Sequence, residues 1–143
     1  MAPTKRRNPS KGRRLPISCP PGLELRTLPG KGRGVFATRR FRRGALVERS
    51  PVIVLPEEEW RRLAKTRLDH YVYEWAGDGG CSMVLGLGSL YNHSYEPSVE
   101  NFVDRRNLAM EWVALRDIAP GEEITVNYND ADDPLAELWF EAR

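Results

Sequence analysis

Apolar and polar positions in this chain fall mostly into short alternating runs, the signature of strands. Leu23-Glu24-Leu25-Arg26 alternates strictly, the period of a half-buried strand. Pro29-Gly30 follows as a turn signal, and Val35-Phe36-Ala37 predicts a second strand. Ala45 to Glu48, Pro51 to Leu55, Phe102-Val103 and Met110 to Leu115 predict further strands, the last two joined by a turn over Asp104 to Asn107. Met83 to Leu90 is apolar and spotted with glycine. One segment keeps a different period. Trp60, Leu63, Ala64, Leu68 and Tyr71 recur at helical spacing behind Pro56 and the acids Glu57, Glu58 and Glu59. Proline suits a first helical turn and the acids meet the positive end of the dipole, so a helix is expected over 57–71. Gly77, Gly79 and Gly80 end that region in a loop. Asp132-Asp133-Pro134 predicts the start of a short last helix containing Leu135, Leu138 and Trp139. Many short strands around one medium helix give a β-rich α+β fold, not a βαβ alternation.

The chain also echoes itself. Ala37 to Gly44 and Ala114 to Gly121 place Ala, Arg, an apolar residue and Gly at the same offsets, and a β-rich segment follows each. Two copies do not make a solenoid. They predict one supersecondary unit used twice: strand, glycine turn, strand.

Composition narrows the class. A length of 143 residues fits one domain, and 41% hydrophobic with 29% charged residues is globular. No run approaches the roughly 18 apolar residues of a membrane span, and the N-terminus lacks the apolar core of a secretory signal, so a cytoplasmic chain is expected. Cys19 and Cys81 are isolated thiols with no C-x-x-C pair, which reads as two small buried side chains; with His70 and His93 they match no zinc spacing, so no metal is expected. The net charge of +2 conceals an asymmetry: residues 1–14 carry six Lys and Arg and no acid, which leaves −4 for the remainder. Residues 1–14 read as a disordered basic arm and 15–143 as a single folded domain. The arm is either a solubilising extension or an attraction for nucleic acid or an acidic partner, which would place the chain near the nucleoid.

Three motifs carry chemistry. The first is Gly30-Lys31-Gly32-Arg33-Gly34. Its spacing is not the G-x-G-x-x-G of a Rossmann fold, and a strand-like run follows it. It is either a turn needing positive φ or a loop whose missing Cβ atoms let backbone approach a ligand. The second, Asn92-His93-Ser94, ends an apolar run; it is either a polar turn or a set of polar groups seeking a ligand. The third is Gly121-Glu122-Glu123-Ile124-Thr125-Val126-Asn127-Tyr128, where Ile124, Val126 and Tyr128 alternate onto one strand face. Tyr128 is either an ordinary strand tyrosine or a hydroxyl aimed into a pocket.

In this order the three motifs resemble a SET domain, the fold of S-adenosylmethionine-dependent protein lysine methyltransferases. The resemblance covers roughly residues 22–130, and the chain is similar to the compact bacterial or viral type without cysteine-rich zinc segments. It implies several small sheets around a knot-like core in which the Asn-His-Ser segment and the tyrosine strand pack together. It implies S-adenosylmethionine held by Lys31, Gly32, Arg33, Gly34, Asn92 and His93, with Trp139 or Phe140 stacking on the adenine. Tyr128 would be the catalytic tyrosine, and Tyr91, Val126 and Asn101 would line the substrate channel. Asn101 and Val126 stand where the family often has an aromatic that limits the methyl count, so the resemblance leaves the degree of methylation open. The implied partner is a lysine-containing protein, a basic DNA-associated one being among the candidates. The alternative is a non-catalytic module that binds nucleic acid or chromatin-like protein through the basic arm.

Overall fold

Short strands dominate, as the alternation requires. The computed structural model describes residues 16–30, 32–75, 77, 79–129 and 133–138. The basic arm of residues 1–14, Lys31, Trp139 and Phe140 lie outside the described residues. Strand β1 (Leu23–Leu28) pairs antiparallel with β2 (Gly32–Ala37), the register running from Leu23 opposite Ala37 to Leu28 opposite Gly32. A five-stranded sheet follows in the order β4-β5-β3-β8-β7. Its members are β3 (Leu46–Leu55), β4 (Val72–Trp75), β5 (Gly80–Val84), β7 (Val99–Asp104) and β8 (Ala109–Ala114). The third sheet is a short parallel ladder of β6 (Asn92–His93) and β9 (Thr125–Val126). That ladder is the expected packing of the Asn-His-Ser segment against the tyrosine strand.

Two of the expected strands, Ala45 to Glu48 and Pro51 to Leu55, merge into the single β3. Pro51 is tolerated inside it because β3 changes partner there. Residues up to Pro51 pair with β8, and Val52 onward pairs with β5. A missing N–H costs least at such a handover. The core gathers from all three sheets and the turns between them: Val35, Phe41, Met110, Trp112, Ile118, Ile124 and Val126 are each at most 2% exposed. Cys81 is buried and Cys19 packs half-buried against this core, both as free thiols. Among the described residues no group of metal-ligating side chains assembles, and no helix is long and apolar enough to cross a membrane.

The expected helix over 57–71 divides. Helix α1 (Glu57–Leu63) starts behind Pro56 with its three acids in the first turn. Thr66 then interrupts it. Its hydroxyl donates to the Leu63 carbonyl at 2.7 Å and accepts the Leu68 amide at 3.2 Å, so the chain restarts as a 3-10 turn, Arg67–Tyr71. This is the local competition that threonine offers a helix backbone. In place of the expected last helix, the described residues 133–138 form a turn at Pro134-Leu135, closed by the Ala136 amide on the Asp133 carbonyl at 3.2 Å.

The internal echo has a structural meaning. Its two copies lie antiparallel against each other and exchange matching bonds. Phe41 N–H donates to the Ile118 carbonyl at 2.9 Å, and Ile118 N–H donates back at 2.8 Å. Gly44 N–H donates to Ala114 O at 2.8 Å, and its counterpart Gly121 N–H donates to Ala37 O at 2.7 Å. Gly44 and Gly121 both take the left-handed conformation, at φ 82° and 87°. The repeat is thus a local two-fold arrangement at the centre of the molecule.

Candidate active site

The glycine motif and the Asn-His-Ser motif meet through one amide. Asn92 Nδ2 donates to the Arg33 carbonyl at 3.0 Å and to Glu123 Oε1 at 2.6 Å. Both amide protons are therefore engaged, and what Asn92 offers a ligand is its acceptor oxygen. Gly34 is required by this arrangement. A Cβ there would lie 2.7 Å from Glu123 Oε1 and 3.1 Å from Asn92 Nδ2. Gly32 sits at φ 79° at the start of β2, where glycine carries no strain.

His93 connects this loop to the tyrosine strand. Its Nδ1 accepts the Tyr128 backbone N–H at 3.0 Å, so in the neutral ring Nε2 carries the proton. Burial lowers the His93 pKa and favours that neutral ring. Nε2 is itself buried and has no hydrogen-bond partner among the described residues. The ring lies tilted against Tyr128, centroids 5.2 Å apart, and edge-on to Tyr95 at 4.5 Å.

Tyr128 borders a cavity of about 370 Å³. Its hydroxyl donates to the Tyr91 carbonyl at 2.5 Å. The residue as a whole is 41% exposed, yet its hydroxyl is desolvated in the cavity wall. Burial first, then the neighbouring Tyr71 and Glu123, push its pKa up to about 12. Tyr73 and Tyr91 share the wall, and burial raises both phenols, Tyr91 with help from Glu48 beside it. The three hydroxyls therefore stay protonated near neutral pH. Tyr73 donates to the Gly88 carbonyl at 2.6 Å and stands edge-on to Trp112, as does Tyr91.

Tyr91 and Asn101, which the resemblance assigns to a substrate channel, border this cavity together with Tyr128. Val126 does not line this cavity; at 2% exposure it packs into the core behind β9. More than half of the wall comes from the segment the motifs left unread: Trp60, Asp69, His70, Tyr71, Val72, Tyr73 and Glu74. Trp60 Nε1 donates to Asp69 Oδ1 at 3.1 Å and ties α1 to the 3-10 turn beside the opening. The sequence marks Trp60 only as part of the expected helix over 57–71. Asn127 and Asn129 also border the cavity, and each donates to the segment after the tyrosine strand, at Pro134 O (2.8 Å) and Ala136 O (2.7 Å). Gly32, Arg33, Gly34, Asn92, His93 and Tyr128 thus form one connected set, and Lys31, Trp139 and Phe140 stay outside the described residues.

Comparison with known proteins gives the chain a family. A family model described as SET domain matches residues 32–129. A Schizosaccharomyces pombe protein named histone-lysine N-methyltransferase, H3 lysine-37 specific, is 37% identical over 90% of this chain and 82% of its own. The Xenopus laevis N-lysine methyltransferase KMT5A-A is 32% identical over 76% of this chain, which spans 36% of that longer protein. A solved Plasmodium falciparum structure superposes with a TM-score of 0.62 at 28% identity, covering 80% of this chain and 97% of that one. The connected glycine loop, Asn92-His93 pair and tyrosine strand therefore have a family context, and the chain belongs to the SET domain family.

Proposed function

We propose that the chain transfers methyl groups from S-adenosylmethionine to the side-chain amine of lysine in a protein. The observation that carries this reading is the bond from His93 to the Tyr128 backbone, which joins the glycine-loop region to the tyrosine-walled cavity. The residues present fit the methyl donor. Asn92 offers an acceptor to its ammonium, and the partnerless Nε2–H of His93 offers a buried donor. Gly32, Arg33 and Gly34 would hold it through backbone, with Lys31 and either Trp139 or Phe140 completing the site. When bound, S-adenosylmethionine supplies a sulfonium methyl open to in-line attack.

The chain's own residues do the rest. A lysine with pKa near 10.4 must lose a proton at about 4.6 kcal/mol at pH 7, and an aromatic wall favours the neutral amine. Tyr128, with its pKa near 12, is not a base at neutral pH. Its proton is directed to the Tyr91 carbonyl, and its oxygen would accept weak C–H···O contacts from a polarised methyl group. The cavity walls align the amine, and alignment supplies most of the remaining acceleration. The relatives named for histones support a basic protein substrate, and the net −4 beyond residue 14 would steer one in.

The test is transfer of labelled methyl from S-adenosylmethionine to histone, with mass spectrometry locating the lysine and counting its methyl groups. Tyr128→Phe is expected to lose at least about tenfold in kcat while calorimetry shows unchanged donor binding. Unchanged turnover in that variant would remove Tyr128 from the chemistry. With the wild type, the rate should rise toward alkaline pH and level off only as the substrate amine becomes neutral, at about 10.4 or below, because the Tyr128 hydroxyl does not titrate in that range.

A further inference from the structure

Glu48 is the buried acid that the methyl-transfer reading leaves unused. It is 3% exposed in β3, and among the described residues it has no ion-pair partner. Strand alternation would turn it outward: Val47 is buried and Glu48 should face solvent. Instead the β3–β8 register shifts between Leu46 and Glu48, so Val47 and Glu48 both point inward and alternation resumes with exposed Arg49 and buried Ser50. Bulges of this kind re-aim side chains beside functional sites. Opposite Glu48 stands Trp112, where an apolar side chain would bury at lower cost than a carboxyl group. Core stability alone does not account for this residue.

Its partners do. Glu48 Oε1 accepts from Ser50 Oγ at 2.7 Å and from the Leu87 amide at 2.8 Å. Oε2 accepts the Tyr91 hydroxyl in a short bond. Gly86 lets the loop descend onto this carboxyl group, since a Cβ there would collide with Ser50 Oγ and Glu48 Oε1. Tyr91 is thereby held at both ends. Its hydroxyl is fixed by Glu48, its ring stands edge-on to Trp112 at 5.6 Å, and its carbonyl receives the Tyr128 hydroxyl.

We propose that Glu48 is a positioning residue for the methyl transfer, anchoring Tyr91 so that the Tyr91 carbonyl fixes the hydroxyl of Tyr128. This rests on the methyltransferase reading, but the anchoring can be observed without turnover. In protein labelled with ¹³C at tyrosine Cζ, Glu48→Gln is expected to move the Tyr91 and Tyr128 resonances together and leave Tyr95 in place. In kinetics, Glu48→Gln lowers kcat about tenfold or more, with peptide KM and donor affinity within about twofold of wild type. Tyr91→Phe lowers kcat similarly, and the double variant falls no further, as expected for residues acting through one another. Ser50→Ala removes one donor from Oε1 and leaves Oε2 on Tyr91, so it should preserve both the Tyr128 resonance and kcat. If Glu48→Gln does not fold, Tyr91→Phe compared with Ser50→Ala decides by the same readouts. A Tyr128 resonance that stays put, losses that multiply in the double variant, or a Ser50→Ala as damaging as Glu48→Gln would each overturn the proposal. Resonances that move as expected in Glu48→Gln, beside a wild type that transfers no methyl, would sink the methyltransferase reading and leave the anchoring standing.

Discussion

Gly34, Asn92 and His93 show how little side-chain chemistry the loop end of the site needs and how tightly it is placed. Gly34→Ala puts a methyl group 2.7 Å from Glu123 Oε1 and 3.1 Å from Asn92 Nδ2, so the amide that joins the two motifs must shift. The expected result is donor affinity weakened about tenfold by calorimetry, equivalent to roughly 1.4 kcal/mol, with the tyrosine resonances of the cavity unmoved. Gly34, Asn92, His93 and Tyr128 were marked in the sequence through the family resemblance, which is carried by residue types at fixed spacing. Glu48 was not. Its run, Ala45 to Glu48, reads as a plain strand, and the bulge that inverts it is a property of how β3 meets β8. Glu123 was hidden in the same way: it sits inside a recognised motif, but its hold on Asn92 exists only once β6 and β9 are side by side.

Among the elements, apolar runs placed most strands, because strand residues such as Val35, Val52, Met110 and Trp112 are buried in the core. Helical periodicity over 57–71 did less well for the same reason. Helix α1 buries no residue, and Leu68 and Tyr71 remain 50% and 36% exposed, so the spacing reported no packing that would hold a longer helix against Thr66. Of the residues at that spacing, Trp60 and Tyr71 border the cavity instead. The 3-10 turn Leu87–Leu90 makes the opposite point, since its sequence is unremarkable and its placement strict. Gly88 lies so close to Trp112 that a Cβ would collide with the indole ring, while its carbonyl receives the Tyr73 hydroxyl. Gly88→Ala is therefore expected to cost about 2 kcal/mol by urea denaturation through overpacking, and to disturb the Tyr73 wall of the cavity as well. A variant of wild-type stability would show that the turn can move away from Trp112 freely.

At the scale of the molecule, surface carboxylates tie separate elements together. Asn107 and Arg49 hold Asp104 down to about 2, the Arg43 amide and Arg40 lower Asp117, and Arg116 lowers Glu122. Each folded pKa lies below its unfolded value. The stabilisation is thus complete above the ordinary carboxylate range and is lost as pH falls from about 5 toward 2. The urea midpoint should be level near neutrality and drop on acidification, and Asp104→Asn should flatten part of that drop; an equal drop in the variant would show that Asp104 does not contribute. The Arg40–Asp117 pair spans 77 positions of sequence and belongs to the two-fold echo at the centre. That spacing has a consequence for biosynthesis. The first copy of the echo leaves the ribosome with every one of its reciprocal partners still unmade, and Phe41 has nothing to bond until Ile118 has followed. The central bonds therefore close late, after most of the domain has been synthesised, as expected for long-range contacts. A nascent chain arrested before residue 114 should remain open to protease, whereas one arrested with residues 114–128 clear of the ribosome should become protected.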